Sequence, residues 1–419
     1  MINIGYACLA LGVRDTGFKS CRRENATEAN LERLVSHNLR SLQNLLHYNR
    51  AQGIGLFRIT SDLIPFGSSS VNTLQWWEDF APQFAQLGDL IKEGNMRVSM
   101  HPGQYTVLNS PHERVVENSI RDLTYHALVL DSLQVGLDSK IVLHIGGVYG
   151  NKEEAVKRFT ENFARLNQNV KRRLVIENDG RFFTIEEVLA VGRRLGIPVV
   201  FDNLHHDLNR PQDSVLTDHD WIKACSETWD KGHGRQKIHY SQQDPAKKSG
   251  AHSQTIRVEE FLDFCQCLQA EVDIMLEVKD KNLSAVKCIY CTKSDLKINQ
   301  LEKEWSKYKY TVLERSPEDY VEIRQLLKDK KSCPTVEFYR LIEHALKQEP
   351  TIGQEVNGML HVWGYFNEKA SIGEKNRFGK NVEAYKNGHG SLRAVKNQLK
   401  RLAEKYREEY LLNSYYFTL

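Results

Sequence analysis

Short runs of apolar residues recur along the first two thirds of the chain, and longer segments rich in charged residues separate them. The eight runs lie at 2–8, 54–61, 97–101, 141–145, 173–177, 198–202, 236–240 and 273–278. Continuous apolar runs are typical of strands covered on both faces, as in parallel sheets. The intervening segments have helical spacing, and eight strands separated by seven helices predict a (β/α)8 TIM barrel, an α/β fold. A doubly wound open sheet is the alternative, but no glycine-rich phosphate fingerprint follows the first strand.

The pattern changes near Lys281, which predicts a second domain. Residues 1–281 form the predicted barrel domain, 282–300 a linker, and 301–419 a smaller all-α domain. Helical spacing recurs in this last part at 301–309, 317–329, 335–347, 352–368 and 391–410. The linker holds Cys288 and Cys291, but one Cys-x-x-Cys pair is weak support for zinc, so reduced thiols are the preferred interpretation.

Composition limits the partners and the compartment. The 419 residues carry a net charge of +3, so a nucleic-acid surface has to be a local patch. Residues 371–407 hold ten Lys/Arg against three Asp/Glu, which indicates either a solvated helix face or a patch that contacts a phosphate backbone. Eight scattered cysteines suggest reduced thiols. No signal peptide and no membrane-spanning segment is apparent, so we expect a cytoplasmic protein without a membrane partner.

Acidic and histidine side chains stand where six of the predicted strands end. Active sites of such barrels lie at the carboxyl ends of the strands, so these side chains should share one mouth. Carboxylates gathered there would repel one another, and divalent cations resolve that repulsion. The six residues are His101, His144, Glu177, Asp202, His239 and Glu277.

Two loop histidines extend this set. His205 follows Asp202 by three residues, and His252 lies in a small basic loop after the seventh strand. Mixed imidazole and carboxylate ligands suit zinc, manganese or iron. Eight ligands exceed the need of one ion, so two or three ions are expected. Two ions about 3.5–4 Å apart can stabilise the attacking and leaving oxygens of a phosphodiester. A metal-bound water, whose pKa is lowered to about 7, supplies the attacking hydroxide.

Several longer motifs support a family resemblance. Residues 1–280 resemble the ultraviolet damage endonucleases, relatives of endonuclease IV. The matching pieces fall in order along the whole barrel: Gly5-Tyr6, SDLIPF at 61–66, HPGQYTVLNSP at 101–111, HIGGVYGNK at 144–152, IENDG at 176–180, FDNLHH at 201–206, KIHYS at 237–241 and MLEVKDK at 275–281.

The resemblance implies three metal positions, usually occupied by Mn2+, with Zn2+ as the alternative. One outer ion would be held by His101 and His144, with Glu177 bridging. The central ion would be held by Glu177, Asp202, His239 and Glu277. The other outer ion would be held by His205 and His252, with Asp202 bridging.

The resemblance also assigns roles in catalysis and in DNA contact. The implied catalytic residues are Glu177, Lys237, His239 and Glu277. Lys237 matches a lysine that can be carboxylated; a cation that contacts phosphate is the alternative. The implied contacts to DNA or lesion are Tyr6, Gln104 and Tyr105.

The implied activity is a nick in duplex DNA immediately 5′ of a UV photolesion, namely a pyrimidine dimer, a 6-4 product or, by extension, an abasic site. Damaged double-stranded DNA is the expected partner and a monomer the expected state. A general apurinic endonuclease, a related sugar isomerase, or a DNA-binding protein that has lost activity are the alternatives. One departure favours the last: Ser69 stands where the family commonly has His. Residues 301–419 resemble the YbgA-type domain of unknown function.

Overall fold

The computed structural model describes residues 2–268 and 271–419 and divides into two compact units. One unit comprises the described residues up to Ala10 and from Arg14 to Ile289. The other comprises Leu11–Val13 and Tyr290–Leu419. None of the described helices combines the length and the apolar character that a membrane crossing requires.

The first unit contains a closed barrel of eight parallel strands, each hydrogen-bonded to the next and the last to the first. The predicted (β/α)8 fold is therefore confirmed. The strands are β1 Asn3–Ala7, β2 Leu56–Ile59, β3 Arg97–Met100, β4 Lys140–His144, β5 Leu174–Glu177, β6 Val199–Asp202, β7 Lys237–Tyr240 and β8 Asp273–Leu276.

Helices surround this barrel in the order that the charged segments predict. Several begin at a side-chain cap; Thr184, for example, accepts from the backbone of Glu187, whose carboxylate accepts in return. The helices are α1 Glu28–Gln52, α2 Trp76–Asp79, α3 Ala81–Glu93, α4 Glu113–Ser132, α5 Lys152–Ala164, α6 Gln168–Arg173, α7 Ile185–Leu195, α8 Asn203–Leu208, α9 Asp218–Ser226, α10 Val258–Cys267 and α11 Asn282–Thr292.

Helix α11 corrects the interpretation of 282–300 as a linker. Its Val286 and Cys288 are fully buried, and the next helix begins at Ile298. Leu283, Val286 and Ile289 recur every three residues, and this short apolar stripe was too brief to be distinguished from a linker by pattern alone. None of the described cysteines forms a disulfide.

Inward-facing positions of the barrel alternate with a period of two. On β3, Arg97 and Ser99 precede His101, which lies one residue beyond the end of the strand. Arg97 Nη1 donates to Asp273 Oδ2 at 2.8 Å, where the strands begin. Apolar inward residues lie beside these polar ones, and Val142, Val175 and Val200 pack together. Because the side chains two residues later face the same way, His144, Glu177 and Asp202 lie in the layer above these valines.

The second unit is helical, as predicted, and its core includes Phe378, Val382, Val395 and Leu399. Ile372–Lys386 was not among the predicted helical segments, since only two of its side chains are buried and most of the others are polar or glycine. The helices are α12 Ile298–Arg315, α13 Pro317–Leu326, α14 Thr335–Lys347, α15 Ile352–Trp363, α16 Ile372–Lys386, α17 Leu392–Tyr406 and α18 Glu409–Leu412.

Candidate metal centre

Glu177 lies at the centre of the barrel mouth and is contacted by imidazoles from four directions. His239 Nδ1 donates to Oε1 at 2.6 Å, and His101 Nε2 donates to Oε2 at 3.1 Å. His144 Nε2 is 3.4 Å from Oε2, and His205 Nδ1 is 3.9 Å from Oε1. The Glu177 side chain is 1% exposed, so these rings replace water around a buried carboxylate.

Asp202 supplies a second carboxylate beside Glu177. It caps α8, accepting from the backbone N–H of His205 at 2.7 Å, and its Oδ1 is 3.6 Å from His205 Nδ1. Its other oxygen is buried and has no hydrogen-bond partner among the described residues. Two groups of three residues could each hold an ion, because the donor atoms within each group lie within 4.8 Å of one another. The first group is His101, Glu177 and His239, and the second is Glu177, Asp202 and His205. A buried carboxylate oxygen with no partner is the kind of atom that a cation would satisfy.

Glu277 is held differently. Its Oε1 accepts from Arg58 Nη1 at 2.5 Å, and both side chains are 13% exposed. His239 Nδ1 lies 3.5 Å from Oε1, and His252 Nε2 lies 3.8 Å from Oε2. The eight predicted ligands therefore share one mouth, but Glu277 already has a cationic partner. Arg58 was not among the predicted site residues, although an arginine inside a short apolar run indicates a buried counter-charge.

The buried carboxylates of the cluster favour cations beside them. Burial would raise the pKa of Glu177, but His239 and His144 hold it well below its usual value. Burial raises the pKa of Asp202 to about 6. At His205 the effect of burial is outweighed by the carboxylates, Asp202 foremost, and its pKa rises to about 9. The carboxylates thus favour positive charge at the position of the His205 ring, where a metal cation would fit equally well.

Lys237 lies two residues before His239 and faces the barrel interior. Its side chain is buried, and within the part of the chain that the structure describes Nζ has no hydrogen-bond partner. Burial, reinforced by Arg97 and Arg58, lowers the pKa of Lys237 to about 7. An amine whose pKa is lowered in this way is compatible with carboxylation. Its position below the layer of the ligands is less suited to direct phosphate contact.

The loop after β3 carries Gln104 and Tyr105 to the surface. Tyr105 is 73% exposed, an unusual state for a tyrosine. The loop is anchored just behind this tip, where Thr106 Oγ1 donates to Asp122 Oδ2 at 2.6 Å. At its start, Ser61 Oγ donates to the carbonyl of His101 at 3.0 Å. The base of the loop is therefore fixed while its tip remains free to contact a partner.

The assignment of Tyr6 to DNA contact requires correction. Tyr6 has no exposed surface; its hydroxyl donates to Asn49 on α1 at 2.9 Å, and its ring packs edge-on against Phe57. A side chain enclosed in this way cannot reach a duplex. Its alternation along β1 directs it towards the helical layer and away from the mouth.

Two cavities adjoin the tip of this loop. One, of about 580 Å³, lies beside His101, His144 and His205 and is also lined by Tyr149 and Phe182, which sequence analysis did not single out. The other, of about 280 Å³, is lined by Tyr105 together with Ser68–Ser70 and Arg121. Ser69 therefore lines the same cavity as the exposed tyrosine, so a serine in place of the expected histidine alters the surface beside the loop tip.

This arrangement defines a TIM-barrel enzyme with a candidate metal centre at an open mouth. A family model described as UV-endonuclease UvdE matches residues 2–309, and the chain belongs to this family. The family recognised from the sequence is thus confirmed. A second family model, described as a protein of unknown function (DUF1722), matches residues 309–419.

Individual relatives agree with this assignment. The UV DNA damage endonuclease of Clostridium perfringens (strain 13 / Type A) is 39% identical over 353 residues, covering 82% of this chain and 83% of the relative. That of Bacillus cereus (strain B4264) is 33% identical over 301 residues, covering 69% and 94%. The crystal structure of SacUVDE shares 38% identity with a TM-score of 0.66, covering 72% of this chain and 99% of that chain.

Proposed function

We propose that this protein is a DNA repair endonuclease that uses divalent metal ions to nick duplex DNA immediately 5′ of UV photolesions. The observation that carries the proposal is the gathering of four imidazoles around Glu177, beside a free aromatic loop tip. The family and the names of its relatives support the same activity. Cyclobutane dimers and 6-4 products are the proposed substrates.

The donor set fits divalent cations. His101, Glu177 and His239 would hold one ion, and Glu177, Asp202 and His205 another, since their donor atoms converge within 4.8 Å. The orphaned oxygen of Asp202 and the orphaned Nε2 of His239 support this fit. Imidazole with carboxylate suits Mn2+, and Zn2+ is the alternative. Bound ions would supply Lewis acidity at the scissile phosphate.

His144, His252 and Glu277 complete the proposed set of ligands, with room for a third ion. Glu277 could join it by exchanging part of its contact with Arg58 for a metal. The catalytic role proposed for Glu177 and His239 is to position the ions, since their mutual hydrogen bond fixes both side chains.

Gln104 and Tyr105 are proposed to probe the base stack. Extruding nucleotides costs a few kcal/mol, and less where the pair is already damaged, so a dimer is favoured over intact DNA. An aromatic ring inserted at the gap would replace part of the lost stacking. The adjoining cavity of about 580 Å³ offers Tyr149 and Phe182 as surfaces for an extruded base.

Nicking assays test the proposal. Three end-labelled duplexes carry one cyclobutane dimer, one abasic site or no damage, and each is incubated with the full chain in Mn2+ or in chelator. We expect a cut directly 5′ of the dimer that requires metal. Glu177→Gln should abolish the cut and lower the metal content, while Glu227→Gln, an exposed glutamate on the barrel surface, should preserve both.

Cutting at the abasic site alone would instead indicate a general apurinic endonuclease. Binding of metal and duplex without any cut would indicate a DNA-binding protein that has lost activity, for which the Ser69 substitution would be the first explanation to test by Ser69→His.

A further inference from the structure

A groove between α16 and α17 of the second unit collects cationic and amide side chains. It has a volume of about 400 Å³. Arg377 and Asn381 line it from α16, and Asn397, Arg401 and Lys405 line it from α17. Its amide hydrogens and guanidinium groups are donors, so the groove suits a ligand that offers oxygen acceptors and negative charge.

The one acidic residue of this lining is already satisfied. Glu374 accepts from Lys405 Nζ at 2.7 Å and Tyr406 OH at 2.8 Å, and from the backbone N–H of Ser371 at 2.9 Å. Together these donors lower the pKa of Glu374 to about 2, and the Lys405 ammonium has the largest effect. Its charge is thus neutralised within the groove and does not oppose an incoming anion.

Most cations of residues 371–407 form no ion pair within the described part of the chain. Of the ten Lys/Arg in 371–407, three form ion pairs with glutamates: Lys386, Lys396 and Lys405. The other seven form no ion pair among the described residues: Lys375, Arg377, Lys380, Arg393, Lys400, Arg401 and Arg407. Against three glutamates, the segment carries a net charge of +7 in a chain whose total is +3. Positive charge is therefore concentrated on this helix pair.

The fold does not require these cations. The two helices join the core of the unit through Phe378 and Val382 on α16 and through Val395 and Leu399 on α17. Arg377 and Arg401 are exposed. Unpaired like charges in proximity repel one another, so their concentration here costs stability. A bound anion would reduce this repulsion.

We propose that the groove between α16 and α17 binds the phosphate backbone of duplex DNA and gives the enzyme a second, sequence-independent hold on its substrate. The inference rests on the proposed function, because DNA is the polyanion on which the first unit is proposed to act. Guanidinium and carboxamide groups are common phosphate contacts, and such contacts position a protein without reading sequence. A small anion is less well matched, since no buried cation anchors one.

Binding of an undamaged, fluorescently labelled duplex by the full chain tests this, with anisotropy measured over a salt series. The variant Arg377→Gln/Arg401→Gln removes two charges from the groove. Lys328→Gln/Lys347→Gln removes two exposed charges elsewhere in the same unit and is the matched control. The slope of log affinity against log salt should fall by about 2 in the groove variant, at about 0.9 per lost phosphate contact, and remain unchanged in the control.

The groove variant should weaken binding of damaged and undamaged duplexes by the same factor. Its single-turnover nicking rate at saturating enzyme should equal that of the unaltered chain. If neither the unaltered chain nor any variant nicks DNA, the proposed function is wrong, but the binding measurement still tests the groove. Equal slopes for groove and control variants would overturn the inference, as would tight binding of an acidic polypeptide with none of duplex. If the double variant misfolds by circular dichroism, each single variant should lower the slope by about 1.

Discussion

The ion pair between Arg58 and Glu277 gives the sharpest test of how the mouth is built. Arg58 Nη1 and Glu277 Oε1 are 2.5 Å apart, and each side chain is 13% exposed. Glu277 Oε1 is also 3.5 Å from His239 Nδ1, so the ion pair between Arg58 and Glu277 is part of the candidate metal centre. Removing either partner leaves the other as an uncompensated charge in a site with little water.

The expected magnitude follows from burial. Breaking a buried ion pair from one side costs about 3–5 kcal/mol, and the slight exposure of this pair favours the lower end, about 3 kcal/mol. Arg58→Met and Glu277→Gln should each cost this much in metal-free protein. Because either change removes the same interaction, the double variant should cost far less than their sum, with a coupling of about 3 kcal/mol.

Guanidinium unfolding of the full chain in chelator measures these values. Pulsed hydrogen exchange on peptides of β2 and β8 separates the barrel from the second unit. The exposed pair Arg50 and Glu93, 2.8 Å apart with side chains 50% and 59% exposed, is the control; Arg50→Met with Glu93→Gln should show a coupling below about 1 kcal/mol. The reasoning is refuted if the loss of unfolding free energy in the Arg58→Met/Glu277→Gln double variant equals the sum of the two single losses within about 0.5 kcal/mol.

Three further changes test individual placements. Tyr6→Phe leaves the buried Oδ1 of Asn49 without its donor, so it should lower the free energy of unfolding by about 1–3 kcal/mol in denaturant titrations while nicking at saturating substrate is unchanged. Gly5→Ala places a methyl 1.7 Å from a carbonyl of β2 and should prevent soluble expression, whereas Gly17→Ala, with open space around it, should express normally. Tyr105→Ala should weaken binding of dimer-containing duplex by about 1–3 kcal/mol relative to undamaged duplex, measured by competition; equal losses on both would exclude a probing role.

The fold and the outline of the site follow from the pattern of the sequence. Parallel strands buried on both faces must be apolar, so eight such runs are sufficient to recognise the barrel. The alternation of side chains along a strand then fixes which residues look inwards. His144 and Glu177 are paired in register on neighbouring strands, as placement at strand ends requires. These features depend on local pattern and on the regular geometry of the fold.

Other features depend on tertiary contacts and escaped prediction. The hydroxyl of Tyr6 is satisfied by Asn49, forty-three residues away in the chain. The partner of Arg58 is more distant still, at Glu277. A resemblance assigns a residue by its position in a motif, but only the surrounding structure shows whether its side chain reaches the mouth or the helical layer. Helix α16 escaped for a different reason, because a helix that buries two residues has almost no apolar stripe.

The barrel interior links the candidate site to stability. Inward positions of many (β/α)8 barrels are filled with branched apolar side chains, yet here Arg97 and Asp273 pair at 2.8 Å where the strands begin, and Lys237 is enclosed between this pair and the charges of the mouth. Each of these charges depends on its neighbours for compensation, because water has little access. A cation that binds in the mouth therefore changes the electrostatic energy of all these buried charges. Metal binding at Glu177 should accordingly stabilise the barrel itself, since ions bind the assembled cluster and not the unfolded chain.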